Sequence, residues 1–145
     1  MLERGGRILL VASRYPNRPE PLWNLPGGRQ RHGELLEETV RREFAEETGL
    51  SIVVDALAYI SESYDPVSAT HFLNATFTVR AAGEPALPPG DPKLSGLAWV
   101  PREELSRRIV AAVVREPLTA HLRGESCRYF GFGVADVAIE FAEPA

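Results

Sequence analysis

Residues 28–50 of the chain read GRQRHGELLEETVRREFAEETGL. Apolar side chains recur in this stretch at the four-residue spacing of one helix face, at Leu36, Val40 and Phe44. Gly49 stands where a glycine commonly ends a helix, so the pattern predicts a helix over Glu34 to Thr48. The Pro26-Gly27-Gly28 turn just ahead of it allows the backbone to approach a ligand closely.

Three carboxylates crowd one side of this predicted helix. At ~100° per residue, Glu43, Glu46 and Glu47 fall within about a quarter to a third of the helix circumference. Arg42 is the nearby cation, and like charges at this spacing require a further positive partner. Carboxylate oxygens suit Mg²⁺, with Mn²⁺ as a substitute, whereas a solvated acidic face is the alternative interpretation.

The remainder of the chain predicts a mixed α/β domain. Runs rich in β-branched and aromatic residues predict strands at Arg7–Ser13, Leu22–Leu25, Ser51–Ile60, His71–Arg80 and Leu97–Val100. Four prolines and three glycines between Gly83 and Gly96 predict an irregular surface loop. A second helical region opens at Pro101 and is interrupted at Pro117. Alternation over Val137–Phe141 predicts a half-buried terminal strand.

The composition is typical of one soluble globular domain over residues 1–145. Sixteen Lys+Arg against twenty Asp+Glu give a net charge of −4, which lacks the basic character of a nucleic-acid binder. Cys127 is the single cysteine, which excludes an intrachain disulfide and favours a reducing compartment, the cytoplasm. The apolar run Ile8–Ala12 is too short to span a membrane, so we expect no membrane partner.

The spacing of residues 28–50 matches a known family signature. The residues Gly28, Glu34, Arg42, Glu43, Phe44, Glu46, Glu47, Gly49 and Leu50 fill every fixed position of the Nudix box, GX5EX7REUXEEXGU, with U apolar. The chain therefore resembles the Nudix hydrolases, most strongly over residues 7–50. The segments Leu22–Gly28 and Trp99–Pro101 are also similar to the family.

The resemblance implies the Nudix fold, an α/β/α sandwich around a mixed β-sheet, and hydrolysis of a nucleoside diphosphate linked to another moiety. Metal ions neutralise the anionic pyrophosphate in such a reaction and lower the pKa of a bound water. The resemblance implies four metal ligands: the carboxylates of the box residues Glu43, Glu46 and Glu47, and the backbone carbonyl of Gly27 in the loop just ahead of the box.

Three box residues correspond to catalytic positions: Arg42, Glu43 and Glu46. Arg42 matches the arginine that orients a glutamate by a charge-assisted hydrogen bond, and Glu46 is the expected partner. Some members use a box residue such as Glu43 as the base and others an acid outside the box; we favour Glu43. Glu34 and Gly28 match supporting positions.

The chain departs from the family in two places. Many members carry an acid just ahead of the tryptophan strand, but residues 94–98 are uncharged, so Asp91 or Glu62 would have to substitute. At the N-terminus only Met1–Arg4 precede the Gly5-Gly6 turn, where members commonly have a full strand. Val137–Phe141, from the same chain or from a partner in a homodimer, is a candidate to fill that edge.

Residues outside the box set the substrate, and ADP-ribose or a nucleotide sugar is favoured. Pro66 lies sixteen residues after Leu50, close to where ADP-ribose hydrolases of the family carry a proline. Arg14 and Arg29 are candidate phosphate ligands, and Trp23 is a candidate stacking partner for a base. Nucleoside triphosphates, oxidised ones included, are the alternative substrates, and a non-hydrolytic nucleotide sensor is the alternative class. We expect a monomer or a homodimer.

Overall fold

The computed structural model describes residues 1–140, and its strands and helices follow the predicted order closely. The strands are β1 (Glu3–Arg4), β2 (Arg7–Ser13), β3 (Leu22–Asn24), β4 (Val53–Asp65), β5 (Thr70–Arg80), β6 (Leu94–Pro101) and β7 (Tyr129–Val134). The helices are α1 (Leu36–Thr48), α2 (Leu105–Arg108) and α3 (Ala112–Leu122), with a 3₁₀ turn, Arg102–Glu104, before α2. None of the helices within residues 1–140 has the length and apolar character that crossing a bilayer requires.

The strands form two sheets that meet at the N-terminal segment. In the first sheet β2 pairs antiparallel with β6 along its length and with β1 and β3 at its two ends. In the second sheet β4 lies between antiparallel β5 and parallel β7. Leu2 joins the sheets through a parallel bridge to Val79, and its carbonyl accepts from the Leu9 N–H at 3.0 Å. Met1–Arg4 thus fill the edge for which Val137–Phe141 was the candidate.

Helices cover both faces of this sheet layer, which confirms the α/β/α sandwich. Successive side chains of β2 point to opposite faces, as the two-residue period of a strand requires. Leu9 packs in one buried cluster with Phe44 of α1. Ile8 and Leu10 pack in a second cluster with Leu118 of α3. The sheet therefore holds α1 on one face and α2 and α3 on the other.

Helix α1 begins two residues later than predicted and ends where predicted. Leu35 is extended at the helix start, and its N–H donates to the Glu38 carboxylate at 2.6 Å. Glu34 lies outside the helix because its carboxylate accepts from the Arg31 N–H at 3.0 Å, which holds it in the preceding turn. At the other end Gly49 has a φ of 72°, and its N–H donates to the Ala45 carbonyl, as a helix-ending glycine does.

Three predictions in the second half of the chain are wrong. Residues Leu94–Gly96 belong to β6, since pairing with β2 orders them despite the flanking glycine and prolines. Pro117 does not interrupt the helix; the break falls at residues 109–111, and α3 runs through a buried Pro117. Core packing by the adjacent Leu118 outweighs the single helix hydrogen bond that proline removes.

The predicted terminal strand is also wrong over the residues that the structure describes. Residues 137–140 form no strand, and Phe141 lies outside the described residues. The strand is instead β7, Tyr129–Val134, whose Gly131 and Gly133 interrupt the apolar alternation that would have revealed it. Strand β7 forms because it pairs in parallel with β4, where Ile60 lies opposite Tyr129. Pairing between segments so distant in the chain leaves no local signal in the sequence.

Candidate active site

The loop ahead of α1 lies against the helix through two glycines. A Cβ built on Gly28 would stand 2.3 Å from Oε1 of Glu43, so any side chain there would occupy the place of that carboxylate. The Gly27 N–H donates to Oε1 of Glu47 at 2.7 Å. Gly27 and Gly28 therefore both lie against predicted metal-binding glutamates, and at Gly28 the absence of a side chain leaves the space that the Glu43 carboxylate occupies.

Arg42 joins three carboxylates of the box. Its Nε and Nη2 donate to the two oxygens of Glu34 at 2.5 and 3.1 Å, as a fork. Its Nη1 donates to Glu43 at 2.7 Å and to Glu46 at 3.3 Å. The expected partner, Glu46, is thus the most distant of the three, and Arg42 positions Glu34 and Glu43 more closely.

Glu34, which the box position predicts as a supporting residue, is held by several hydrogen bonds. Its carboxylate accepts from Arg42, from the Arg31 N–H and from the Thr39 hydroxyl. These hydrogen bonds, above all those from Arg42, lower the pKa of Glu34 to about 2. The residue therefore stays ionised and anchors Arg42 against the loop.

Glu47 lies in the opposite electrostatic situation. Burial, together with the charges of Glu43, Asp91 and Glu46, raises the pKa of Glu47 to about 8, although the hydrogen bond from the Gly27 N–H acts in the opposite direction. This is the crowding that the helix spacing predicted, with Asp91 added from the loop before β6. A cation bound beside Glu47 would favour its ionised form.

The donor set fits a divalent metal ion in its chemistry. Carboxylate and carbonyl oxygens are the ligands of Mg²⁺ and Mn²⁺, and the Gly27 N–H holds the Glu47 carboxylate against the loop whose carbonyl is a further candidate ligand. In residues 1–140 no three Asp, Glu, His or Cys side chains already form a metal-binding cluster. Glu43 and Glu46 point at arginines instead, since Arg42 and Arg31 supply the positive charge.

Sequence analysis missed two residues of this site. Arg31 lies 3.5 Å from Glu46, and nothing in its loop position distinguishes it from other exposed arginines. Burial raises the pKa of the Tyr15 hydroxyl, and the negative charge of Glu47 contributes a second, smaller increase. A tyrosine between a strand and a proline-rich loop carries no signal of such proximity.

The predicted substrate residues Arg14, Arg29 and Trp23 each have partners within the protein, and Pro66 is exposed. Arg14 donates to the carbonyls of Pro92 and Leu94 at 3.3 and 3.2 Å, so it holds the loop that carries Asp91. Arg29 contributes its carbonyl, which accepts from Arg42 at 2.9 Å. Trp23 packs against the α2–α3 cluster with the Arg108 guanidinium 4.9 Å from its ring centre. Pro66 lies exposed in the β4–β5 turn.

Asp91 and Glu62, the two candidates for the acid outside the box, lie in different surroundings. Asp91 is among the charges that raise the pKa of Glu47. Glu62 lies on β4, where it accepts hydrogen bonds from Tyr129 and from His71, the latter at 3.1 Å. Asp91 is therefore the candidate whose charge acts on Glu47, whereas Glu62 is held by Tyr129 and His71.

Comparison with known proteins agrees with this geometry. The family model described as the NUDIX domain matches residues 1–122. The chain belongs to the Nudix family. A NUDIX hydrolase from Nitrosomonas europaea shares the fold with a TM-score of 0.72 at 24% identity, over 88% of this chain and 86% of that one.

Two curated relatives carry different names. A Bacillus subtilis (strain 168) protein named "Putative 8-oxo-dGTP diphosphatase" is 33% identical over 100 residues, 69% of this chain and 61% of that protein. The "ADP-ribose pyrophosphatase" of Methanocaldococcus jannaschii is 35% identical over 83 residues, 57% of this chain and 48% of that protein. The matched part thus spans about half to three fifths of the length of these relatives.

Proposed function

We propose that this protein is a metal-dependent pyrophosphohydrolase that cleaves a nucleoside diphosphate linked to another moiety. The observation that carries the proposal is the approach of two box glutamates to the Gly27–Gly28 loop, where Glu47 accepts from the Gly27 N–H at 2.7 Å and the Glu43 carboxylate fills the space beside Gly28. A pyrophosphate bridge repels an attacking water through its anionic oxygens, and its hydrolysis needs concentrated positive charge. Negative side chains next to such a substrate serve to hold cations.

Each residue of the site has a role in this proposal. Glu43, Glu46, Glu47 and the Gly27 carbonyl would hold Mg²⁺ or Mn²⁺, which supplies charge neutralisation and an acidified water when bound. Arg42, fixed by Glu34, positions Glu43 and Glu46 through its Nη1. Glu43 is the candidate general base, and Asp91 is the candidate acid from outside the box.

The favoured substrates are ADP-ribose and nucleotide sugars, whose diphosphate linkage fits one metal-rich site. The name of the Methanocaldococcus jannaschii relative supports this class. The name of the Bacillus subtilis relative favours a second candidate, a nucleoside triphosphate with an oxidised base. Pro66, exposed in the β4–β5 turn, and Trp23, partly buried against a core cluster, stay predictions as substrate residues.

Phosphate release from both substrate classes tests the proposal. ADP-ribose and nucleotide sugars are incubated with Mg²⁺ and alkaline phosphatase, and nucleoside triphosphates with Mg²⁺ and inorganic pyrophosphatase. We expect turnover that EDTA abolishes and that Mn²⁺ restores. Signal from the first set assigns a diphosphate-linkage hydrolase, and signal from the second assigns a triphosphate pyrophosphohydrolase.

Two variants of α1 separate an enzyme from a nucleotide sensor. Glu47→Gln removes one predicted metal ligand, and Glu37→Gln is its matched control, since Glu37 is an exposed residue paired with Arg41 at 3.2 Å. We expect Glu47→Gln to abolish turnover and Glu37→Gln to retain it. Nucleotide binding by the wild type without turnover of any substrate, with either metal, would contradict the enzyme and support the sensor.

A further inference from the structure

Glu46 lies between two arginines that differ in how firmly the protein holds them. Its Oε2 accepts from Nη1 of Arg42 at 3.3 Å, and its Oε1 lies 3.5 Å from Nη2 of Arg31. The side chain of Arg42 is 16% exposed, whereas that of Arg31 is 64% exposed. A predicted metal ligand of the box therefore meets one largely buried cation and one cation that faces solvent.

The guanidinium group of Arg42 has no donor left for a substrate. Such a group carries five N–H donors. Two of those on Arg42 go to the Glu34 carboxylate and one goes to the Arg29 carbonyl. The remaining two go to Glu43 and Glu46. Since every donor is engaged within the protein, Arg42 supports the carboxylates of the box and is not the residue that meets an incoming phosphate.

Arg31 has a fixed backbone and an exposed side chain. The Glu34 N–H donates to the Arg31 carbonyl at 3.1 Å, and the Arg31 N–H donates to the Glu34 carboxylate at 3.0 Å. These bonds close a four-residue turn in which Gly33 has a φ of 86°, the conformation of the third residue in a type II turn. Glu34 is itself held by the fork from Arg42. The turn therefore presents the Arg31 side chain at Glu46 and leaves its guanidinium group accessible.

The ion pair between Arg31 and Glu46 is of a kind that breaks easily. Exposed pairs contribute little to stability, because water screens the charges and two long side chains must be held in one geometry. A divalent cation that binds Glu46 competes with Arg31 for this carboxylate and repels its guanidinium group. A phosphate group that accompanies the cation attracts the same guanidinium group, whose forked N–H donors match phosphate oxygens.

We propose that Arg31 exchanges partners at the active site: it pairs with Glu46 until a divalent cation binds this carboxylate, and it then donates to a phosphate oxygen of the nucleotide. The inference rests on the proposed function, which supplies both the cation and the phosphate. Loss of the Arg31 charge therefore strengthens metal binding when no nucleotide is present and weakens nucleotide binding when metal is present. A static ion pair with a purely structural role would not produce these opposite effects.

Binding of Mn²⁺ without nucleotide tests the first half of the exchange. Free Mn²⁺ is followed by electron paramagnetic resonance, whose signal falls as the ion binds to protein. Arg31→Gln removes the charge and Arg31→Lys keeps it; Arg41→Gln is the matched control, since Arg41 is an arginine of α1 paired with Glu37 at 3.2 Å. We expect Arg31→Gln to bind Mn²⁺ about two- to fivefold more tightly than the wild type, and the other two variants to stay within about 1.5-fold of it.

Binding of a nucleotide in saturating Mn²⁺ tests the second half. The ligands are α,β-methylene ADP-ribose and α,β-methylene dGTP, so that no turnover occurs. We expect Arg31→Gln to bind the analogue that the wild type prefers about tenfold more weakly, and Arg31→Lys to restore part of the affinity. With the cleaved substrate, KM of Arg31→Gln should rise about tenfold while kcat changes by less than about threefold.

The two measurements together separate failure of the exchange from failure of the proposed function. Affinities of Arg31→Gln that equal those of Arg41→Gln in either measurement, or that shift in the same direction in both, would overturn the exchange. Turnover by the wild type that Glu47→Gln abolishes would then leave the proposed function standing. Absence of Mn²⁺ binding by the wild type, or Mn²⁺ binding that Glu47→Gln leaves unchanged, would overturn the proposed function and the exchange with it.

Discussion

Gly28→Ala should disable the active site without unfolding the protein. The added Cβ would stand 2.3 Å from Oε1 of Glu43, whereas ordinary contacts begin near 3.4 Å, so the carboxylate must retreat by about 1.1 Å. A displacement of about 1 Å of a reacting group costs on the order of 100-fold in rate, or about 2.7 kcal/mol of transition-state stabilisation. The backbone of Gly28 has no positive φ, so alanine fits it without strain.

The stability of Gly28→Ala should hardly change. The displaced atoms are the end of a flexible side chain, and alanine reduces the freedom of the unfolded chain, so the free energy of unfolding should stay within about 1 kcal/mol of the wild type. Gly27→Ala is the matched comparison, because a Cβ there meets nothing within 4 Å.

The assay for this pair of variants combines kcat/KM on the substrate identified by phosphate release with thermal and urea unfolding. We expect a loss of about 100-fold for Gly28→Ala and of less than about tenfold for Gly27→Ala. Equal kcat/KM for the two alanine variants, or a loss for Gly28→Ala that simply follows its loss of folded protein, would refute the role given to the Glu43 carboxylate.

Three further predictions concern Arg42, Phe44 and Glu34. Arg42→Lys should lower kcat/KM about 10- to 100-fold with little change in melting temperature. The reason is that a single ammonium group replaces the guanidinium group, which donates to Glu34, Glu43 and Glu46 at once. An undiminished kcat/KM would refute this role of Arg42. Phe44→Ala, at a fully buried position, should lower the free energy of unfolding by about 3–5 kcal/mol in urea titrations. Hydrogen bonds to Arg42 lower the pKa of Glu34 from 4.5 to about 2 on folding, so the ionised carboxylate stabilises the folded state fully above pH 4.5. This contribution to the free energy of unfolding is lost as the pH falls towards 2. Between pH 4.5 and 2 the free energy of unfolding of Glu34→Gln, measured in urea titrations, should therefore fall less than that of the wild type.

Helix α1 could be predicted from the sequence because its signals are local. Leu36, Val40 and Phe44 lie on one face through the helical period, and Gly49 ends the helix through its own backbone freedom. Strands β2 and β5 likewise appear as β-branched and aromatic runs, and their predicted bounds match within one residue. Each of these features depends on residues within a few positions of one another.

The elements that the sequence did not predict depend on contacts between distant segments. Strand β7 exists through parallel pairing with β4, and Pro117 is tolerated because α3 packs on the core. The edge beside β2 is filled by Met1–Arg4, which the sequence left open between several candidates. Long-range packing overrides local propensity in each case.

The same division holds for the active site. The sequence by itself determined which carboxylates share one face of α1, because the helix period fixes their directions. Only the tertiary structure decided that Arg42 binds Glu34 and Glu43 more closely than Glu46, and that Asp91 adds its charge to that of the box. Charges act through space, and the loop that carries Asp91 comes to Glu47 only when the sheet has folded.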